Sequence, residues 1–302
     1  MSYYTERHGL RSPVERTEAI TYEMYSLLFA CCEKYYYNVA WLYPEECPDG
    51  HGCCGLDYTT FDTTMKFEIP TLFRKENGTI SIPQENTFTP SDEYDQYALL
   101  DFIEFFAANC KDVVVGSFHS YFGHHHLRLL ETREIFDTFR SEINRIFEKT
   151  GLLYTLSESG MVERVDVNGV LSKEIETAVA YVPEKGLKEL LQDAILLHKT
   201  PGPQARQDSV EKIWDALERL KTYYTTMNKK ASVAKIVDDM ANSQAEFSAI
   251  FDEEFRALTK IGNDFRIRHH ETNKIDITDS RHYDYFFNRC LSLIALAIQY
   301  LK

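Results

Sequence analysis

Apolar and aromatic residues at Ile20, Met24, Leu27, Leu28, Cys31 and Tyr35 recur at helical spacing, and they predict one long helix from residue 17 to about 40, ended by Pro44. Residues 67–82 instead carry β-branched and aromatic side chains on either side of Glu76-Asn77-Gly78, which predicts a hairpin turn. A second helix is predicted from about Ser91 through Leu99, Phe102 and Phe106. Asp92 and Glu93 stand in its first turn, where carboxylates meet the positive end of the helix dipole. Phe136, Phe139, Ile143 and Phe147 carry a helical pattern assigned to residues 124–150, with Gly151 as its stop. Residues 154–165 alternate about Gly160 and read as a small hairpin.

Beyond Asn168 the pattern is helical throughout. Pro183 opens a helix whose stripe is Leu187, Leu190, Leu191, Ala194 and Leu197, and Pro201-Gly202-Pro203 breaks it. Asp208 with Glu211 has the spacing of a capping box ahead of Ile213, Trp214, Leu217, Leu220 and Tyr224. Further helices are expected from about 243 to 261 or later, and from about 282 to 301. The fold class is therefore mainly α: a mixed N-terminal domain, residues 1–168, with small β-hairpins, followed by an all-helical bundle, residues 169–302.

The chain has 302 residues, 44% apolar and 26% charged, enough for real cores and unlike a disordered sequence. Aromatics reach 13%, almost all Tyr and Phe, which points to thick interior layers and a surface suited to self-association. The net charge of −14 argues against a constitutive nucleic-acid coat, because phosphates need cations. Its distribution narrows that statement. Residues 1–200 hold 18 basic and 32 acidic side chains, whereas residues 201–302 hold 15 of each. A polyanion would meet less repulsion in the last third, and the acidic N-terminal region suits a protein partner. The first residues lack the layout of a signal peptide and no run reaches 18 apolar residues, so a cytoplasmic protein without a membrane span is expected.

Three constellations have the residue types that chemistry needs. The loop holding Cys47, His51, Cys53 and Cys54 offers thiolate and imidazole donors for zinc. It has no C-x2-C pair, however, and adjacent Cys53 and Cys54 rarely reach one ion together, so a structural loop is the favoured reading. His119 precedes three consecutive histidines, His124, His125 and His126, of which at most two can serve one ion on a regular element, with Glu131, Glu134 and Asp137 as nearby oxygen donors. No cofactor is expected. The third is Asn263-Asp-Phe-Arg266-Ile-Arg268-His269-His270-Glu271. If the preceding helix continues through it, Asn263, Arg266 and His270 share a face. An imidazole able to move the proton of a 2′-hydroxyl, beside a guanidinium able to stabilise a phosphorane, is what RNA cleavage without a metal requires. Asp264 and Arg268 are also four apart, so part of this charge has an ordinary surface-pairing explanation.

Trp214-Asp-Ala-Leu-Glu-Arg-Leu-Lys221-Thr, Lys229-Lys-Ala-Ser-Val, the segment from Ile261 to Thr272 and the closing apolar helix resemble the C-terminal part of bacterial abortive-infection proteins of the HEPN-like superfamily. Residues 142–154, with the hairpin after them, resemble the N-terminal module that accompanies such domains. The resemblance covers about half the chain, from roughly residue 120 onward. It implies a helical, homodimer-forming domain that in active members cleaves RNA within anti-phage defence. The motif of active members is an Arg followed by a His after four to six intervening residues. Here Arg266 and His270 are separated by three, and Arg268 and His269 by none.

The expectation is thus a metal-independent endoribonuclease effector, dimeric through its C-terminal helices, with Asn263, Arg266, Arg268, His269, His270 and Glu271 as site residues. The alternative is a non-catalytic binding or assembly module of a defence system, and a weaker third reading is a metal-dependent hydrolase built on the Cys47 loop or the histidine cluster.

Overall fold

The computed structural model describes residues 4–10, 12, 14–50, 52–267 and 274–301. The chain divides into two compact units, residues 1–163 and 164–302. It is mainly α, with three small two-stranded sheets among the described residues.

The first unit runs α1 (Tyr4–Arg7), α2 (Tyr22–Glu33), a 3-10 turn at Tyr36–Val39, β1 (Pro44–Glu46), β2 (Cys53–Leu56), α3 (Tyr58–Glu68), α4 (Gln96–Asn109), β3 (Val113–His119), β4 (His124–Leu129), α5 (Ile135–Thr150) and the hairpin β5 (Tyr154–Leu156) and β6 (Val162–Arg164). Its core is aromatic. Phe29 stacks on Phe102 at 5.6 Å, Phe102 meets Phe106 edge-on at 5.1 Å, and Phe106 reaches Phe139 of α5 at 6.1 Å. Such offset and edge contacts add to the burial of rings that are themselves shielded from water.

Short polar side chains set the helix starts. Thr21 accepts from the Met24 amide, Asp57 from Thr59 and Thr60, and Asp95 from Tyr97. The start of α4 is therefore Gln96 rather than Ser91, since the cap is Asp95 and not the Asp92-Glu93 pair. The expected helix over residues 17–40 is shorter for the same reason, beginning only after Thr21 and giving way to the 3-10 turn.

Residues 124–150 are not one helix. β4 pairs antiparallel with β3, Val113 opposite Leu129 and His119 opposite His124, and only then does α5 begin, with the Asp112 carboxylate accepting from the amides of Glu134 and Ile135. Consecutive β-branched residues Val113, Val114 and Val115 favour the strand that recruits β4. At the far end of α5, Gly151 adopts φ +79°, and a Cβ there would lie 2.2 Å from the Glu15 carbonyl oxygen, so this stop needs glycine for conformation and for space.

The second unit is helical: α6 (Lys173–Ala180), α7 (Lys185–Lys199), α8 (Pro203–Leu220), α9 (Lys229–Ala241), α10 (Ala245–Asp264) and α11 (Ser280–Ala297). α7 packs along α8, α8 against α11, and α9 against α10. Leu187 and Leu191 from α7, Ile213, Trp214 and Leu217 from α8, and Phe287, Leu291 and Ile294 from α11 fill one core. α8 starts at Pro203, which occupies the first turn, where its missing amide hydrogen costs no bond. Asp208 and Glu211 consequently lie inside α8, and the capping-box reading of this pair is corrected. No described helix is long and apolar enough to cross a membrane.

Candidate functional site

α10 turns its apolar side inward at Phe255 and Leu258, both buried. Gly262 lets it lie directly against Trp214 of α8, whose indole Nε1 donates to the Leu258 carbonyl at 3.1 Å. That anchorage leaves Arg256, Lys260 and Asn263 exposed, at spacings that put them on one face. Facing them are Lys229, Lys230 and Val233 from α9. Together with Lys221, Asp252, Thr259 and Asp264 these residues line a groove of about 780 Å³.

The cations of this groove are not equivalent. Lys221, buried at the end of α8, donates to Glu218 Oε1 at 2.5 Å and to Thr259 Oγ1 at 3.0 Å, and Lys229 donates to Glu218 Oε2 at 2.5 Å. Burial works against the Glu218 charge, but the two ammonium groups prevail and hold its carboxyl below the ordinary value. Arg256 pairs with Asp252 at 2.6 Å. Lys230 and Lys260 are exposed in the wall and have no carboxylate partner among the described residues. They are the cations available to an incoming anion.

The residues singled out in the sequence divide here. Asn263 lines the groove, and its carbonyl oxygen accepts from Lys274 Nζ at 2.6 Å. Arg266 stands apart from α10, because the helix stops at Asp264 and Phe265 turns extended (φ −96°, ψ 155°) to pair with Ile275. Asn263 and Arg266 therefore do not share a helical face, as continuation of the helix would have required. The Arg266 amide donates to Ile275 O at 2.9 Å, and its guanidinium is 2.9 Å from Asp276. Arg268, His269, His270 and Glu271 lie outside the described residues, as does His51.

Of the cysteine loop, Cys53 Sγ turns to the Gly55 carbonyl at 3.2 Å and Cys54 Sγ to the Glu45 carbonyl at 3.4 Å. Cys47 is buried and points elsewhere, its Sγ lying 3.4 Å from His119 Nδ1 and 3.3 Å from His124 Nε2.

One polar cluster had no sequence signal. Arg164, His198 and Arg206 are buried in the second unit with Asp166, Asp284 and Asn288. Arg164 Nη2 is 3.1 Å from His198 Nδ1 and 3.0 Å from Asp284, while His198 Nε2 is 3.3 Å from Asp166. Arg206 Nε approaches Asp284 at 3.2 Å and Asn288 Nδ2 donates to Asp166 at 2.6 Å. The guanidinium of Arg164 fills the place a metal ion would need between His198 and Asp284, so this network ties chain segments together. Its members come from residues 164 to 288 with no periodic spacing, which is why no motif announces it.

A mainly helical protein with hairpins in its first unit and a cationic groove in its second is the class these features define. Residues 2–181 match AbiJ N-terminal domain 4, the N-terminal domain of an abortive-infection protein, and the chain belongs to this family. The match spans the first unit and α6. No curated protein and no solved structure compared with the chain gives a match.

Proposed function

We propose that this protein is an RNA-directed effector of abortive-infection defence, which binds RNA along the α9–α10 groove and cleaves it without a metal ion. The observation that carries this reading is a pair of lysines, Lys230 and Lys260, which have no carboxylate partner among the described residues and stand beside Asn263, in a chain whose net charge is −14. Phosphate contacts supply sequence-independent affinity. Five residues after Asn263 the sequence provides Arg268, His269, His270 and Glu271.

In the proposed reaction one imidazole takes the proton of a 2′-hydroxyl, the 2′-oxygen bonds to the adjacent phosphorus, and the bond from phosphorus to the 5′-oxygen breaks. A second imidazole gives that leaving oxygen its proton, so the products are a 2′,3′-cyclic phosphate and a free 5′-hydroxyl. Arg268 stabilises the phosphorane, while Arg266, held by Asp276, positions the segment. A homodimer through the C-terminal helices doubles the site, and the acidic first two thirds serve as a sensor or docking surface for a protein partner.

The end of α10 at Asp264 favours a second reading, a non-catalytic HEPN-like binding or assembly module, because Arg266 then lies beyond the helix that carries Asn263. Incubating a mixed RNA pool with the full chain in EDTA separates the two, with folding matched by circular dichroism. Cleavage by the wild type and its loss in Arg268→Ala and His270→Ala supports the nuclease. RNA retention without cleavage supports the binding module.

A further inference from the structure

The β1–β2 turn and the β3–β4 hairpin bring together side chains that are far apart in sequence. His119 closes β3 and pairs with His124, the first residue of β4. Residues two apart on a strand share a face, so His126 stands beside His124, while His125 lies on the opposite face with its Nδ1 at the Gly116 carbonyl. Cys47, at the end of β1, completes the group. One donor atom each from Cys47, His119, His124 and His126 all lie within 4.8 Å of one another.

Two features of this cluster ask for a cation. His126 Nε2 is buried with no hydrogen-bond partner among the described residues, a costly state for an imidazole nitrogen beside two other imidazoles. Two of the spacings also fit. Zinc bonds of about 2.0–2.1 Å to nitrogen and about 2.3 Å to sulfur, arranged tetrahedrally, place the sulfur about 3.5 Å from each nitrogen. Cys47 Sγ lies 3.4 and 3.3 Å from the nearest nitrogens of His119 and His124.

We propose that Cys47, His119, His124 and His126 form a tetrahedral zinc site that fastens the β3–β4 hairpin to the β1–β2 turn. One thiolate with three imidazoles is a donor set suited to Zn²⁺. Four protein ligands fill the coordination sphere and leave no position for a reacting water, so the site is structural and not the centre of a hydrolase. Asp49, whose Oδ2 is 3.3 Å from His119 Nδ1, puts a carboxylate at the edge and offsets the single positive charge left by Zn²⁺ and one thiolate. Phe118 and Tyr121, exposed near the tip of the hairpin, are held in place by this fastening.

The test uses the full chain purified without a histidine tag. Elemental analysis is expected to find one equivalent of zinc per chain. Stripping the protein and reloading it with Co²⁺ should give the visible bands of a tetrahedral site together with a near-ultraviolet thiolate-to-cobalt band. Cys47→Ser should abolish the thiolate band, and His124→Ala and His126→Ala should lower bound metal, whereas His125→Ala and Cys54→Ser should keep both. A folded wild type with neither stoichiometric zinc nor the tetrahedral cobalt spectrum overturns the site, as does a thiolate band that survives Cys47→Ser. Should the ligand variants fail to fold, the wild-type cobalt spectrum decides alone.

Discussion

Gly262 of α10 abuts the indole of Trp214: a Cβ at position 262 would stand 2.5 Å from Nε1 and 2.6 Å from Cδ1. The indole cannot retreat, being buried in the core and bonded to the Leu258 carbonyl. Two effects of Gly262→Ala oppose each other. Alanine favours a helix interior by about 1 kcal/mol over glycine. Overpacking a tight core costs about 1–3 kcal/mol. The contact is below any real Cβ separation, so net destabilisation is expected in urea unfolding, together with weaker RNA retention if the α9–α10 groove shifts. A more stable variant would show that α10 does not lie this close to α8.

Asn144 of α5 acts on β5 as a further strand would. Its Oδ1 accepts from the Leu156 amide at 2.6 Å and its Nδ2 donates to the Leu156 carbonyl at 2.9 Å. Asn144→Ala strands both backbone groups, for an expected loss of about 1–3 kcal/mol. Hydrogen exchange at the Leu156 amide should accelerate in this variant, and unchanged exchange would remove the assigned bond.

His198 should make the second unit sensitive to mild acid. Arg164 can donate to Nδ1 only if that nitrogen is unprotonated, which leaves the proton on Nε2, facing Asp166. Burial, with the Arg164 charge beside it, holds the imidazole below its ordinary value of 6.5, against the pull of Asp166 and Asp284. Hydrogen bonds from His198 and Asn288 hold the Asp166 carboxyl far below its usual range. Both folded-state values are depressed, so the unfolded chain binds more protons and stability falls as pH falls. The His198 share is complete above about pH 6.5 and is lost below it. The Asp166 share is lost only below about pH 4. His198→Phe preserves an aromatic ring over Phe287, on which the imidazole lies at 3.8 Å, and should flatten the stability profile from about pH 7 to pH 5 relative to wild type. An identical profile would assign the titration elsewhere.

Binding at the groove should depend on salt in proportion to its phosphate contacts. For single strands each contact contributes roughly 0.7 to the slope of log K against log salt concentration. The double variant Lys230→Ala, Lys260→Ala should therefore flatten that slope by about 1.4. Its thermal stability should stay near wild type, since both side chains are exposed and without carboxylate partners among the described residues. An unaltered slope would move the RNA contact to another surface.

The bundle was readable in the sequence because its helices carry long apolar stripes, and Leu187, Leu191, Ile213, Leu217 and Ile294 all lie in the core. Helix starts were harder. Asp92, Glu93, Asp208 and Glu211 all look like caps, and only the folded chain shows that Asp95 and Pro203 occupy those turns. The structure departs furthest from the sequence pattern at residues 124–130, because the apolar period of α5 does not reach back over the three histidines of β4. A helix would spread those side chains by about 100° each. A strand alternates them, and that alternation puts His124 and His126 together. The Cys47 loop and the histidine run were each visible as possible ligand sources, but their union depends on pairing between segments about 75 residues apart, which no local pattern encodes. For Arg266, the expectation of a common face assumed a helix that ends two residues earlier.

The pairing of Phe265 with Ile275 draws the two ends of the Arg/His segment to one point at the foot of α10, with the Ile275 amide bonded to the Asp264 carbonyl at 3.0 Å. A stretch whose ends are already clasped can change length at little entropic expense, about 0.6 kcal/mol for each doubling. The bundle and the groove can therefore stay fixed while this short stretch is lengthened, shortened or exchanged.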